Sequence, residues 1–331
     1  MAKLIVGVIG MGVMGKTHAN IYKQSKEVEL RYIYDANEKI NKELTEEYGT
    51  QYVKDYIEML EDEELDAVSI CTSDNSHLKV ALDACNYKKH ILIEKPLADN
   101  YEDSKKIVSA VNEAGIKMLV GHSLRWDPRY IIAKNKVSSG KIGEVIHLYA
   151  RRFNSHENGV RIQGRTNVAM FLGVHDIDAI EWITGDKIVE VSAFQVKKRL
   201  KEYGVGDAIS INLKFKSGTV GSLDLAWSLP KNHVEIDAKL DLIGSEGVLN
   251  IDIFNQGINV YEEEKVVYPD ITYGVDTHGR QSGVMTEEIQ SFIDGVLYNR
   301  PFPISIEEAA RSVKIVEKIM DSIENGTVEK I

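Results

Sequence analysis

Two polar side chains, Lys95 and His175, stand at positions where a folded chain could use them in chemistry. Lys95 lies between Glu94, which ends an apolar run, and Pro96. This position predicts a lysine at the carboxyl end of a strand. Its ammonium group could hold a hydroxyl oxygen and stabilise negative charge on it. His175 lies three residues before Asp178, so the two share one face of a predicted helix. An imidazole titrates near neutral pH and is suited to accepting a proton.

Each of these residues also has an ordinary structural explanation. A lysine at the end of a strand is most often solvated, because lysine is rarely buried. A single histidine in a helix is more often a hydrogen-bonded structural residue than a proton acceptor. Lys95 and His175 therefore have to be weighed together, and with the elements that would position them.

The opening of the chain predicts a phosphate-binding turn. An apolar run breaks into Gly10, Gly12 and Gly15, which is the Gly-x-Gly-x-x-Gly spacing of a turn between a strand and a helix. In such a turn the first glycine permits a tight bend, the second lets the backbone approach a pyrophosphate, and the third lets the helix pack on the strand. The helix N-terminus, with Val13 and Met14, would offer amides to phosphate oxygens.

An acidic residue at the expected distance supports a dinucleotide over a plain strand-to-helix connection. Asp35 ends the second apolar run, roughly 20 residues beyond the glycines, where a carboxylate would accept hydrogen bonds from the adenosine ribose. A carboxylate repels a 2′-phosphate, and no arginine follows directly in residues 35–38. The sequence therefore predicts NAD as cofactor and disfavours NADP.

Composition narrows the class of partner. The chain has 331 residues, which predicts about two domains, and a formal charge of −11. That charge disfavours nucleic acid and anionic membranes, which need a basic face, and favours a small molecule. Cys71 and Cys85 are the only cysteines, so neither a disulfide framework nor a metal site is predicted. No stretch approaches the ~20 apolar residues of a membrane span, and we expect a cytoplasmic protein.

The pattern of residues 1–122 alternates apolar runs with amphipathic segments, which is typical of a parallel sheet covered by helices. The predicted strands are Leu4–Ile9, Leu30–Tyr34, Gln51–Val53, Ala67–Cys71, His90–Ile93 and Lys117–Val120. The predicted helices are Gly15–Gln24, Glu38–Tyr48, Asp55–Leu60, Ser76–Cys85 and Tyr101–Ala114. The fold class is therefore α/β, with an N-terminal doubly wound parallel sheet of the Rossmann type.

A second domain is predicted over residues 123–331, because Pro128 opens a new amphipathic stretch and runs of period two follow. The predicted strands are Val145–Arg151, Val189–Val196, Ala208–Phe215, Thr219–Trp227, Val234–Ile243 and Val248–Ile253. Glycine-containing turns between several of them predict a meandering antiparallel sheet, interrupted by a helix at Val168–Thr184. Two closing helices are predicted, one at Thr286–Leu297 and one after a capping box of Ser305 and Glu308.

The ordered set of motifs resembles the glucose-fructose oxidoreductase, inositol dehydrogenase and MocA family of NAD(P)-dependent sugar and polyol oxidoreductases. The motifs that carry the resemblance are the glycine turn, Asp35, Thr72 to His77, Glu94-Lys95-Pro96, Arg125-Trp-Asp-Pro128 and Gly173-x-His175-x-x-Asp178. The resemblance covers nearly the whole chain. It implies a Rossmann domain followed by an α/β domain with a large open, mainly antiparallel sheet, which in the family commonly forms homodimers or homotetramers.

The resemblance also assigns roles to residues. It implies that Lys95 and His175 work together at the substrate carbinol, with Arg125 and Asp178 near the polyol. Family members often place polyol contacts in the region of Asn154 and His156, although polar residues there are more often solvated loop residues. The cofactor contacts implied in addition to the glycine turn and Asp35 are Thr72, Ser73, His77, Glu94 and Lys95.

Two departures from the family pattern bear on function. Many members have an aspartate four residues before the histidine, where this chain has Phe171, and many have proline where it has Ser73. The first departure bears on chemistry or substrate fit, while the second is a backbone detail. Arg161 and Arg165 could meet an anionic substrate or could be surface charge.

The expected function is hydride transfer between NAD(H) and a secondary hydroxyl of a sugar, an inositol or a sugar derivative. One alternative is a cofactor-binding regulator without turnover, since Phe171 removes a usual polar residue. Another is a reductase of a non-sugar carbonyl. Retention of both Lys95 and His175 favours the enzyme.

Overall fold

Residues 3–230, 236–254, 256–263 and 266–331 are described by a computed structural model of the chain. The chain divides into two units. Met1–Trp126 and Thr272–Arg311 belong to the first unit, and Asp127–Ile271 and Ser312–Ile331 belong to the second. Segment 272–311 thus returns to the first unit, whereas the sequence analysis placed everything after residue 122 in a second domain. The functional division at residue 122 stays a prediction.

The first unit is built on a parallel sheet. Its strands are β1 (Leu4–Ile9), β2 (Val28–Tyr34), β3 (Ala67–Ile70), β4 (His90–Glu94) and β5 (Met118–Gly121). Its first helices are α1 (Val13–Gln24), α2 (Glu38–Tyr48), α3 (Tyr56–Leu60), α4 (His77–Asn86) and α5 (Tyr101–Ala114). The strand order is β2-β1-β3-β4-β5, so the chain changes direction across the sheet at β1. Sheets of this kind bind ligands at the carboxyl ends of the strands beside that point.

The predicted strand at Gln51–Val53 is wrong. Gln51 forms only an isolated parallel bridge with Tyr32 at the outer edge of β2. The chain is then committed to α3, because Asp55 caps that helix by accepting a hydrogen bond from the amide of Ile57 at 3.0 Å. Too few residues lie between the bridge and the cap to extend the pairing.

The second unit begins with helices that surround its first strand. These elements are α6 (Pro128–Ser138), β6 (Val145–Ser155), α7 (His156–Ile162), a π-helical segment (Ala169–Gly173) and α8 (Val174–Thr184). The following strands are β7 (Ile188–Val196), β8 (Ala208–Phe215), β9 (Val220–Leu229), β10 (Ile236–Gly244), β11 (Val248–Asp252), β12 (Val260–Tyr261) and β13 (Val266–Val267). The predicted strand at Val234–Ile243 is confirmed from residue 236, and its first two residues lie outside the described part of the chain.

The last segment contains β14 (Val275–Asp276), β15 (Gln281–Ser282), α9 (Val284–Tyr298), α10 (Ile306–Asn325) and β16 (Glu329–Lys330). The capping box is confirmed, since the Ser305 hydroxyl accepts from the Glu308 amide and the Glu308 carboxylate accepts from the Ser305 amide. Helix α9 buries Ile289, Phe292 and Ile293 in the same apolar core as the first sheet. This packing explains why segment 272–311 belongs to the first unit.

Within the described ranges, the second sheet has seven strands in the order β11-β10-β6-β9-β8-β7-β16. The prediction of a mainly antiparallel sheet is confirmed, but the meander is wrong because β6 and β9 pair in parallel. After β6 the chain passes through α7 and α8 and re-enters the sheet at β7, near the far edge. β8 and β9 then fill the sheet back toward β6, which brings β9 alongside β6 in the same direction.

One face of this sheet is open to solvent within the second unit. Inward residues of β8 such as Ile209 and Leu213 are buried, whereas the alternate residues are exposed. The exposed face includes apolar side chains, with Phe194 73% exposed and Val220 50% exposed. No helix in the described residues is long and apolar enough to cross a membrane.

Candidate active site

The glycine turn between β1 and α1 can be built only from glycine at two positions. Gly10 has φ +91°, and a Cβ there would lie 2.8 Å from the backbone of Cys71 and Thr72. A Cβ on Gly15 would lie 1.9 Å from the carbonyl oxygen of Gly10. Gly12 differs, because no heavy atom lies within 4 Å of its Cβ position. The turn is therefore packed from below and open at Gly12, as expected for a backbone that a phosphate approaches.

Two backbone amides fix the carboxylate of Asp35 at the end of β2. The amide of Met11 donates to Oδ2 at 2.9 Å, and the amide of Asn37 donates to Oδ1 at 2.9 Å. The first of these bonds joins Asp35 directly to the glycine turn. A carboxylate oxygen can accept more than one hydrogen bond, so both oxygens can also receive ribose hydroxyls.

His77 ties together the loops that follow β3 and β4. Its Nδ1 lies 2.9 Å from the carbonyl oxygen of Pro96, and its Nε2 lies 3.3 Å from that of Thr72. Burial lowers the pKa of His77, which keeps the ring neutral at pH 7. A neutral ring carries one N–H, so His77 donates a hydrogen bond to only one of these two carbonyl oxygens. The predicted contacts of Thr72 and of the exposed Ser73 remain predictions.

Glu94 ends β4 as a buried carboxylate in a chain of hydrogen bonds. Its Oε1 lies 3.1 Å from Nε2 of His18, and Nδ1 of His18 lies 3.2 Å from the Ser69 hydroxyl, which is 2.7 Å from the Tyr22 hydroxyl. Burial raises the pKa of Glu94, but the His18 hydrogen bond and the charges of His18 and Lys95 outweigh it, so the pKa lies below its usual value. An ionised carboxylate only accepts, so Nε2 of His18 donates to Glu94.

A second carboxyl group, which sequence reasoning missed, lies beside Glu94. Glu288 of α9 is fully buried, and within the described residues neither carboxylate oxygen has a hydrogen-bond partner. One carboxylate oxygen of Glu288, one carboxylate oxygen of Glu94 and one ring nitrogen of His18 lie within 4.8 Å of one another. Burial and the charge of Glu94 raise the pKa of Glu288 well above its usual value. Only the fold could reveal this pair, because α9 returns to the first sheet from far along the chain.

Lys95 lies directly after Glu94 and is half-buried, with its charge close enough to favour the Glu94 anion. The Lys95–Pro96 peptide bond is cis. Arg125, predicted near the polyol, donates to the carbonyl oxygen of Pro303 at 2.5 Å and to Glu308 at 3.4 Å. These two partners lie in the same unit and hold the start of α10. A substrate contact by Arg125 stays a prediction.

In the second unit, a buried ion pair anchors the helix that carries His175. The guanidinium of Arg152 on β6 donates to both carboxylate oxygens of Asp176 at 2.7 and 3.0 Å. Arg152 and Asp176 are 4% and 3% exposed. Their bidentate pairing fixes the first turn of α8, where His175 is half-buried. Sequence reasoning missed this pair, because nothing in the sequence links a strand arginine to one particular helix acid.

Phe171 packs against Trp227 in the second unit. Their ring centroids are 5.8 Å apart with an interplanar angle of 55°. Phe171 belongs to the π-helical segment that leads into α8, and π-helical turns often occur at functional sites. An apolar ring therefore occupies the position one turn before His175, and Asp178 is buried further along the same helix.

The other predicted polyol contacts lie where β6 passes into α7. The side-chain oxygen of Asn154 accepts from the Ser155 amide at 2.5 Å and from the Asn158 side chain at 2.6 Å, so it organises this turn. Nε2 of His156 is buried and has no hydrogen-bond partner among the residues described. Arg161 is exposed near the end of α7. Substrate contacts at these positions stay predictions.

Comparisons with known proteins agree with this architecture. Residues 4–122 match a family described as an oxidoreductase family with an NAD-binding Rossmann fold, and residues 130–250 match the GFO/IDH/MocA C-terminal domain. Myo-inositol 2-dehydrogenase of Thermotoga maritima is 26% identical over 342 residues, covering 98% of this chain and 98% of the relative. Scyllo-inositol 2-dehydrogenase (NAD(+)) of Bacillus subtilis is 29% identical over 258 residues, covering 74% and 72%.

A solved structure extends the comparison to the fold. The crystal structure of scyllo-inositol dehydrogenase from Lactobacillus casei, with bound NAD(H) and scyllo-inositol, has a TM-score of 0.84 and 21% sequence identity to this chain. The alignment covers 99% of each chain. At this identity the likeness shows a shared fold.

Proposed function

This chain belongs to the GFO/IDH/MocA oxidoreductase family, whose N-terminal domain is an NAD-binding Rossmann fold, and from that premise we propose that it oxidises a secondary hydroxyl of a cyclic polyol or sugar. The observation that carries the cofactor half is the hydrogen bond from the Met11 amide to Asp35. It holds a ribose-binding carboxylate against a turn that is open at Gly12. The residues present therefore fit NAD.

The substrate class is inferred from the relatives. Two of them, aligned over most of this chain, are named as inositol dehydrogenases. A ring of secondary hydroxyls suits a site that offers a cation and a proton acceptor, because oxidation removes a proton from oxygen and a hydride from carbon. NAD, when bound, supplies the hydride acceptor.

Lys95 and His175 carry the protein's share of the chemistry in this proposal. His175 takes the hydroxyl proton, and the Lys95 ammonium donates a hydrogen bond to the same oxygen while negative charge develops on it. Arg152 and Asp176 hold the helix turn that presents His175. Glu94 supplies the negative charge beside Lys95. Asp178, Asn154, His156 and Arg125 are proposed polyol contacts.

A substrate panel tests the proposal. Inositols, aldoses and nucleotide sugars are assayed with NAD by absorbance of the NADH formed, and turnover of at least one cyclic polyol or sugar is expected. Binding of NAD(H) without turnover of any of them would instead support a regulator. Turnover confined to carbonyl compounds other than sugars would support the third class of function.

We also propose a cytoplasmic homodimer or homotetramer. The exposed face of the second sheet carries Phe194 and Val220 among polar residues, and such a face is commonly covered by a partner. Cys71 and Cys85 are unpaired thiols, which is common in a reducing compartment.

A further inference from the structure

Glu288 is placed at the carboxyl edge of the first sheet by the return of α9. A Cβ added to Gly121, at the end of β5, would lie 3.2 Å from Glu288 Oε1 and 3.6 Å from the Cα of Glu94. Glu288 is 0% exposed, and neither of its oxygens has a hydrogen-bond partner among the described residues. Glu288 is therefore a buried carboxyl group beside the end of β4, which Lys95 follows, and no hydrogen bond among the described residues accounts for its burial.

The titratable groups around Glu288 favour a single negative charge in this cluster, carried by Glu94. Burial raises the pKa values of Tyr22 on α1 and of Cys71 at the end of β3, so both stay neutral at pH 7. His18 on α1 donates a hydrogen bond to Glu94, and the charges of His18 and Lys95 favour the Glu94 anion. Two ionised carboxylates this close and this deeply buried disfavour each other.

His77 also faces Glu94, and burial lowers the pKa of His77, which weakens its charge effect on Glu94. The arrangement is thus an asymmetric pair, in which one carboxyl is set up to ionise and the other to keep its proton. Such pairs of acids in different environments divide their roles in known active sites.

We propose that Glu288 is a positioning residue: it keeps its proton and leaves the single negative charge of the buried pair on Glu94, and through Glu94 it fixes the position of the Lys95 ammonium. The inference rests on the proposed function in one respect, which is that Lys95 holds the substrate oxygen. Its central claim, that one buried carboxyl in this chain is protonated, can be tested without any substrate.

Infrared spectroscopy of the full-length protein at pH 7 tests that claim. We expect a carbonyl stretch of a protonated carboxylic acid in the wild type and its loss in Glu288→Gln. Glu287→Gln is the matched control, since Glu287 is the exposed neighbour on the same helix and is expected to leave the band unchanged. A band that persists in Glu288→Gln, or is absent from the wild type, would overturn the proposal.

Steady-state kinetics tests the positioning role. Glu288→Leu fills the space without a polar group, so it is expected to fold at least as stably while kcat falls ~10-fold or more, because Lys95 is no longer held in place. Glu288→Gln, which resembles the neutral acid, should restore most of kcat and the wild-type pH profile. Equal activity of the Leu and Gln variants would reduce Glu288 to a packing residue.

Metal analysis of the purified protein tests the remaining alternative, in which Glu288, Glu94 and His18 bind a metal ion. Our proposal expects no stoichiometric divalent metal, and one equivalent of metal lost on Glu288→Gln would contradict it. If no sugar or polyol is turned over, the infrared result still stands or falls alone, so failure of the proposed function and failure of this inference are distinguishable.

Discussion

The amide of Met11, inside the glycine turn, donates a 2.9 Å hydrogen bond to the carboxylate of Asp35. The residue that would bind the ribose is therefore hydrogen-bonded to the backbone turn that would bind the phosphates. A substitution of Asp35 is expected to affect both the ribose contact and the turn.

Asp35→Ser should weaken NADH binding by roughly 10-fold or more, because it removes a charged acceptor of two backbone amides as well as the ribose contact. The affinity for NADPH should change less, which narrows the preference between the cofactors. Fluorescence titration of both cofactors measures the effect. Tighter binding of NADPH than NADH by the wild type would show that Asp35 does not select NAD.

His175→Ala and Lys95→Ala should each lower turnover by at least ~10²-fold on the true substrate, the low end for removing a positioned acid–base group. NADH affinity should stay within a few-fold, since neither change alters the glycine turn. Initial-rate kinetics with cofactor titration separates the two effects. Near-normal turnover of His175→Ala with an unchanged pH profile would mean that another group carries the proton.

Arg152→Ala should destabilise the protein by about 3–5 kcal/mol, because it leaves the buried Asp176 without its partner. Arg151→Ala is the matched control, since the neighbouring pair of Arg151 and Asp237 is partly exposed and should contribute only about 0–1 kcal/mol. Urea unfolding monitored by circular dichroism gives both values. Equal losses in the two variants would argue against a special role for the buried pair.

Phe171→Asp should be tolerated better than loss of His175 or Lys95 and should alter substrate preference. The ring that packs on Trp227 is replaced by a carboxylate one turn before His175. Because a nearby negative charge favours a protonated imidazole, the acidic limb of the kcat/KM profile should move to higher pH. An unchanged profile and unchanged preference across the substrate panel would show that position 171 does not face the reaction.

Light scattering at micromolar concentration should give a dimer or tetramer. Phe194→Glu, on the exposed face of the second sheet, should weaken assembly because Phe194 is 73% exposed in the chain alone. Ile132→Glu on α6 changes another exposed apolar residue, 56% exposed, and should leave the assembly intact. A wild-type monomer would contradict the proposal.

Local pattern was enough to predict most elements of the two sheets. Strand β1 and helices α2 and α5 have the predicted bounds, because continuous apolar runs and the caps Asn37 and Asn100 are read within a few residues. The missing strand at Gln51–Val53 and the parallel pairing of β6 with β9 depend on where the chain goes next, which local pattern does not contain.

The order of motifs in the sequence was enough to propose the site residues. It did not identify the residues that support them in the structure. Glu288 and the pair of Arg152 and Asp176 act across long sequence separations. Tertiary packing decides which residues these side chains meet, and the sequence does not contain that information. In a sequence, a buried acidic residue cannot be told from an acidic residue on the surface. Arg125 has partners that its motif did not indicate, Pro303 and Glu308, and its contact with substrate stays a prediction.

The return of α9 to the first sheet sets an order for biosynthesis. When residues 1–126 have left the ribosome, the apolar surface that Ile289, Phe292 and Ile293 will cover is still bare. The first unit can be completed only after strands β6 to β11 of the second sheet have been synthesised. A nascent chain therefore carries this exposed patch through most of translation, and a fragment that stops at residue 126 should be prone to aggregation or to capture by chaperones.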